Sequence, residues 1–327
     1  MIPLWDVIAR DIRSTLPVYA LYGVIGLVVL SLGATGLAAA QDERAIRLII
    51  VADRQTAQNI LQQVQQGTSF SALAHAKSIG PEHERWGYGG IVRLHEVQPA
   101  MRAALLKMQE GQVSDVLALG DQFVIVKLIS PKIAQHFATA DRAARENKLP
   151  QAIQEVQAAL RLEEDNMQAY IRLGLLQQNA KQFDEAIRTL EKAQQYAPQE
   201  AQVALLMASA YTHAAIDGKQ AAQTEKALQA FQRVLQLDER YAPSVHFGMG
   251  RLYLLALKQP ETALGHLEKA AQATTNVAEV HRLLIQTYYD TRRYEQAWQS
   301  LRRAQALGFD FPQLLAALHK VKQQSQR

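Results

Sequence analysis

The feature that most constrains this chain is a recurrence of small and large apolar residues over 132–327, with a period of about 34 residues. In the clearest unit, Met167 to Glu200, the residues Tyr170, Leu173 and Gly174 occupy a first helix, Ala186, Leu190 and Ala193 occupy a second, and Pro198 ends the unit. Apolar residues three and four apart share one helix face, so each unit reads as a pair of packed helices. Gly174 and Ala186 are small where two helices have to approach closely. A single pair cannot bury its own apolar faces, and three or more must stack to be stable. Looser units are marked by Ala140, Ala152, Val156 and Ala159; by Ala208, Tyr211, Ala227, Phe231 and Val234, with extra residues around Asp217 to Thr224; by Met249, Gly250, Tyr253, Ala263, Leu267 and Ala270; and by Leu284, Tyr288, Ala297, Leu301 and Ala304. Gln313 to Gln324 reads as a capping helix with Leu314, Leu315, Leu318 and Val321 turned inward. The expectation is about five units and a cap.

Residue by residue, the Met167–Glu200 unit resembles the tetratricopeptide repeat. That resemblance implies an all-α solenoid with a concave groove formed by the first helix of each pair. By position Gln168, Gln178, Ser209, Thr212, Phe247, Arg251, Arg282, Gln286 and Tyr289 are expected to face the groove. This polar mixture, with two arginines and two aromatics, suits an extended peptide or a helix, and arginine suits a carboxylate. The family's two-carboxylate clamp needs a particular set of Lys and Asn residues, and that set is not found here.

Residues 44–131 have a different pattern. Ile46-Arg47-Leu48-Ile49-Ile50-Val51 is a short apolar, β-branched run and reads as a buried strand. Arg54 to Gln66 is helical by spacing, and Gly67 ends it. Phe70-Ser71-Ala72-Leu73-Ala74 starts a second short helix, Pro81 to Gly90 reads as a loop, and Pro99 to Leu106 is a third helix. Gly111-Gln112-Val113-Ser114 is a turn, and Phe123 to Leu128 a last strand. In this order, the strand Arg47 to Val51, Ala57-Gln58-Asn59-Ile60-Leu61, Gly67 to Ala74, Val97 to Met101, Met108 to Ser114 and the closing strand resemble the parvulin family of peptidyl-prolyl isomerases. The match covers the whole of 44–131.

The resemblance does not carry the family's active site with it. Parvulins usually place one His in the first strand, another in the last, an Asp or Cys near the central loop, and a Phe or Met on the third helix beside the bound proline. Here the corresponding positions hold Leu48, Val124, Tyr88 and Met101. Prolyl rotation has a barrier of about 18–20 kcal/mol. An isomerase lowers it by gripping the twisted amide in an apolar pocket with placed polar groups. Without both imidazoles, activity is expected to be weak or absent, with Met101 left as a candidate for a pocket that still holds proline-containing chains. An active, divergent isomerase is the alternative.

From Leu16 to Ala40 there is no charged residue. As a helix this stretch is roughly 37 Å long, enough to cross a hydrocarbon core of ~30 Å. Arg10 and Arg13 precede it and Asp42 and Glu43 follow, which orients the body away from the cytoplasm. Residues 1–40 therefore read as a cytoplasmic stub and transmembrane anchor, or as a signal peptide cut after Ala38-Ala39-Ala40. The expected address is the inner membrane with the body facing the periplasm or exterior; the alternative is a soluble periplasmic protein after cleavage.

Cysteine is absent, which excludes disulfides, thiolate metal sites and a thiol nucleophile. The net charge is +4 with no Lys/Arg block, so no nucleic-acid partner is expected. His75, His83 and His95 are too scattered for metal-ligand spacing, and Trp86-Gly87-Tyr88-Gly89-Gly90 lacks the Lys-Ser/Thr of a phosphate loop; neither metal nor cofactor is expected. The fold class is thus an α+β parvulin-like domain at 44–131 followed by an all-α tetratricopeptide-repeat solenoid at 132–327, with an N-terminal transmembrane or signal helix. The resemblances imply a folding or assembly factor with protein or peptide clients, alternatively a scaffold subunit of a membrane complex.

Overall fold

A computed structural model describes residues 42–274 and 277–324. The apolar stretch from Leu16 to Ala40 lies outside them. Among the described residues no helix is long and apolar enough to cross a membrane. The described chain divides into two compact units, one holding residues 42–180 with Thr189–Pro198, the other Lys181–Arg188 with residues 199 onward.

The first unit begins with strand β1 (Glu43–Val51), helix α1 (Arg54–Gln65) and helix α2 (Phe70–Lys77). The Asp53 carboxylate accepts from the Thr56 N–H at 2.8 Å and starts α1; the Ser69 hydroxyl accepts from the Ala72 N–H and starts α2. Strands β2 (Tyr88–Arg93), β3 (Leu117–Leu119) and β4 (Gln122–Ile129) complete an antiparallel sheet of order β2-β1-β4-β3, with helix α3 (Pro99–Leu105) between β2 and β3. From Ala45 onward β1 is buried without alternation, because both sheet faces are covered. On one face Ile49, Val51 and Ile125 pack with Ala57, Ile60, Phe70 and Leu73. On the other, Ile46, Leu48, Ile50, Val124, Val126 and Leu128 pack with Met101 and Leu105.

The sequence expectation of a loop over Pro81 to Gly90 is corrected. The segment forms a 3-10 turn at Pro81–Arg85 and then enters edge strand β2. The switch is made at Trp86 (φ 57°) and Gly87 (φ 80°). A Cβ on Gly87 would lie 2.5 Å from the Ala74 Cβ and 2.8 Å from the Leu48 carbonyl oxygen, so only glycine fits.

Helices then follow without further strands: α4 (Lys132–Arg145), α5 (Leu149–Leu162), α6 (Met167–Asn179) and α7 (Phe183–Tyr196). A Cβ on Gly174 of α6 would meet the Leu190 side chain of α7 at 2.8 Å, which is the close approach that residue permits. The second unit contains α8 (Ala201–Ile216), α9 (Gln223–Leu237), α10 (Ala242–Arg251), α11 (Pro260–Ala273), α12 (Ala278–Asp290), α13 (Tyr294–Ala306) and α14 (Pro312–Gln324), with a π-helical turn at Leu252–Ala256. Helices pair consecutively: α4 with α5, α8 with α9, α10 with α11 and α12 with α13. The inter-helix turns share one device. Asn147, Lys181, Lys219, Lys258 and Arg292 take positive φ, 34, 38, 39 and 34 residues apart. At two of these turns the following amide reaches back five residues, Lys148 to the Ala143 carbonyl and Arg293 to the Tyr288 carbonyl, both at 2.8 Å. This left-handed closure satisfies carbonyls that the helix end leaves open.

Candidate functional site

The family positions come together only in part. Leu48 pairs with Val126 and Ile50 with Val124, so Leu48 and Val124 lie diagonally on the same sheet face. Met101 of α3 packs over them. The expectation that Met101 lines an open pocket is corrected: Leu48, Met101 and Val124 are 7%, 6% and 2% exposed and form a closed apolar cluster. Two branched aliphatic side chains stand where the resemblance implies polar rings. The Leu48 side chain also covers Gly89 of β2, where an added Cβ would meet it at 3.2 Å.

Tyr88 does not join this cluster. Strand alternation turns it to the opposite face, where it packs with Ala45, Ile129 and Ile133. The expectation that Tyr88 stands beside Leu48 and Val124 is corrected, and Gly89 is the β2 residue that faces Leu48. His75 also has a local role: its ring stacks on Trp86 at 4.3 Å and its Nδ1 lies 2.8 Å from the His83 carbonyl oxygen.

The opposite face of the sheet carries a polar network that sequence reasoning missed. Arg47, fully buried in β1, donates from Nε and Nη2 to both Glu163 carboxylate oxygens at 2.7 and 2.9 Å, and from Nη1 to the Trp86 carbonyl at 2.8 Å. Lys127 of β4 lies 3.3 Å from Glu163 and 2.6 Å from Asp165. Asp165 in turn accepts from the Phe70 N–H at 2.9 Å, and Asn166 donates to Glu163 at 2.9 Å while capping α6. Burial pushes the Asp165 carboxyl up, but the Lys127 ammonium, the Arg47 charge and the Phe70 N–H together hold it below the usual range. Two cations thus meet two anions at the turn between α5 and α6. Ala45 and Ile129 of the sheet, Ile133 of α4 and Ala159 of α5 form an apolar layer in the same unit. Glu163 and Asp165 are held in place because they neutralise Arg47 and Lys127.

A cleft of about 470 Å³ adjoins this network, lined among others by Thr68, Gly111, Val113, Glu164 and Tyr196. Lys127, Glu163 and Asp165 of its lining are paired within the network, and the arrangement holds two elements together.

The expected groove residues divide into two groups. Gln178, Ser209, Thr212 and Phe247 are buried, which corrects their placement on an open surface. The Thr212 hydroxyl donates to the Ala208 carbonyl at 2.7 Å, and Phe247 belongs to a core cluster with Leu264 and Leu283. Helix α8 is buried around nearly its whole circumference, so position in the repeat does not select an exposed side there. Gln168, Arg251, Arg282, Gln286 and Tyr289 keep some exposure. The Arg282 guanidinium grips both Glu279 oxygens at 2.7 and 2.6 Å, Gln286 donates to Asp290 at 2.8 Å, and Tyr289 meets Tyr294 edge-on at 5.8 Å. Arg251 lies over the Phe247 ring and 3.3 Å from His213 Nε2. Burial, then the Arg251 charge, push the His213 imidazole down to about 4, so it is neutral at physiological pH. His213 was missed because a lone histidine in an apolar helix carries no pattern.

A small α+β domain followed in the sequence by helix pairs suggests a protein-binding folding or assembly factor built from an isomerase-type domain and repeats. Residues 40–130 match the family model of the Rotamase, or PPIC-type PPIASE, domain, and residues 143–210 match that of the tetratricopeptide repeat. The chain is therefore a fusion of a parvulin-type domain with tetratricopeptide repeats. No curated protein matches the sequence. Among solved structures the chain is similar to Pseudomonas aeruginosa pilF, with 19% identity over 60% of this chain and 86% of that one, TM-score 0.48. It is also similar to TTC0263, a tetratricopeptide-repeat protein of Thermus thermophilus, with 18% identity over 57% and 97%, TM-score 0.46. A third is MamA from Desulfovibrio magneticus, with 15% identity over 55% and 97%, TM-score 0.44.

Proposed function

We propose that this protein is a membrane-tethered, extracytoplasmic folding or assembly factor whose parvulin-like domain, residues 44–131, is a binding and docking module with weak or absent isomerase activity. In this reading residues 132–327 form about five tetratricopeptide repeats and a capping helix, and they engage protein clients. The observation that carries the reading is the closed cluster of Leu48, Met101 and Val124, which leaves neither imidazoles nor an open proline site. The charge-free stretch from Leu16 to Ala40, after Arg10 and Arg13, supports the tether and the outward orientation of the body.

The client-binding part is tested with the full chain and several unrelated, chemically unfolded proteins diluted into buffer. A folding factor at near-equimolar ratio is expected to suppress their light scattering without any nucleotide. No suppression of any substrate contradicts the reading.

A further inference from the structure

Two imidazoles of the second unit face each other. His246 of α10 and His266 of α11, 20 positions apart in the sequence, bring their Nδ1 atoms to 3.1 Å. Their ring centroids are 5.2 Å apart, well beyond the nitrogens, so each Nδ1 is the part of its ring turned towards the other. The other close pair, His75 and His83, directs both Nδ1 atoms to backbone carbonyls at 2.8 Å instead. The His246–His266 arrangement is supported on both helices. α10 and α11 pack as a pair, and the π-helical turn at Leu252–Ala256 lays Tyr253 flat on His266, with 5.4 Å between ring centroids and 11° between planes. π-helical turns recur at functional sites. Both histidines keep partial exposure. Burial, then the Lys269 ammonium, lower the pKa of His246; burial, then His246, then Lys269 lower that of His266. Both rings are therefore neutral at physiological pH, the form of imidazole that ligates a metal.

We propose that His246 and His266 form a two-imidazole site for a late first-row divalent cation, Zn2+ or Cu2+. Imidazole nitrogen suits these ions and does not suit Mg2+ or Ca2+. With the nitrogens 3.1 Å apart, a cation about 2.0–2.1 Å from each sees them at roughly 100°, between the octahedral and tetrahedral angles. No net proton is released. The ring that donates its Nδ1 hydrogen in the free protein carries that hydrogen on Nε2 in the bound form, as the other ring already does. Among the described residues no group of three or more His, Asp and Glu is placed to share a cation. The chain thus supplies two ligands and leaves the remaining positions to water or to a donor from outside. Lys269 is the charge that opposes a dication here. A bound ion bridges the two helices of one pair and stabilises the native state by mass action. The sequence expectation of no metal was argued on His75, His83 and His95, in the first unit; a separation of 20 residues carries no ligand signature.

The test uses the full chain without a histidine tag, stripped with a chelator and titrated with Zn2+ by calorimetry. Saturable binding near one equivalent is expected, undisturbed by excess Mg2+. His246→Ala and His266→Ala are each expected to bind about tenfold or more weakly, since each removes one of two ligands, and His95→Ala to bind as the native chain does. Lys269→Gln is expected to bind several-fold more tightly, because it removes the opposing charge. Zinc is expected to raise the melting temperature of the native chain and to leave that of both alanine variants unchanged. Electron paramagnetic resonance of the native chain with one equivalent of Cu2+ is expected to show coupling to two equatorial nitrogens, which keeps the result independent of how the variants fold. Absence of saturable binding, an affinity unchanged in both alanine variants, or a copper signal with fewer than two nitrogens would each overturn the site and show the pair to be an ordinary hydrogen bond. None of these outcomes bears on the client-binding reading, which is tested separately.

Discussion

Glu163→Ala is expected to destabilise the unit containing the sheet by about 3–5 kcal/mol, because it strands a buried guanidinium. Arg47 is 0% exposed and has no water to fall back on, and Lys127 loses one of its two carboxylates. The loss of Glu163 also removes an acceptor from Asn166, which caps α6. At a size of about 150 residues such a change lowers the melting temperature by roughly 10 °C. The double replacement Arg47→Met with Glu163→Leu is expected to cost far less than Glu163→Ala alone, since it removes both charges and fills the space. Urea unfolding followed by circular dichroism compares the three proteins. Equal stability of Glu163→Ala and the native chain would mean that the sheet does not depend on the α5–α6 turn.

Restoring the family's imidazoles as Leu48→His with Val124→His is expected to cost about 4–6 kcal/mol and to yield no catalysis. Each change removes roughly 1.5–3 kcal/mol of apolar burial, and two rings enter a cluster that offers them no hydrogen-bond partner. The loss is expected to deepen below about pH 6.5, because burial lowers a histidine's folded-state pKa and acid then favours the unfolded chain. Thermal melts between pH 5 and 8 read this directly. A stable double variant that accelerates prolyl rotation would show that the site was merely missing two side chains, whereas the packing of Met101 and Leu105 argues that its space has been closed.

What was legible in the sequence follows from periodicity. Gly174, Ala186, Leu190 and Ala193 announce helix pairs because side-chain size at helical spacing fixes where two helices can touch. The inter-helix turns were not legible: Asn147, Lys181, Lys219, Lys258 and Arg292 adopt positive φ without being glycine, so the turn geometry leaves no residue signature. The phrases of the α+β domain were readable in order, but edge strand β2 was hidden behind Gly89 and Gly90, which look like loop. Register decides which face a strand residue serves, and with the strand unread Tyr88 was placed on the wrong one.

The Arg47–Glu163 pair was invisible for a different reason. The two residues are 116 positions apart. Arg47 sits in an apolar strand, where a single charge looks like an interruption, and Glu163-Glu164-Asp165 looks like a solvated turn. Only the docking of the sheet on α4 and α5 makes either residue intelligible. Groove positions were misjudged on α8 because a helix that is apolar on every side has no pattern to mark an open face. Arg251 was visible as a groove cation; its contacts with Phe247 and His213 were a matter of three dimensions.

Central to this account is a proline site that has been packed shut. The rate of cis-to-trans conversion of a short proline peptide in the presence of the full chain tests it most directly. The account predicts the spontaneous rate, tens to hundreds of seconds at 25 °C, at every protein concentration; an acceleration that grows with the amount of protein and disappears in Met101→Ala would contradict it.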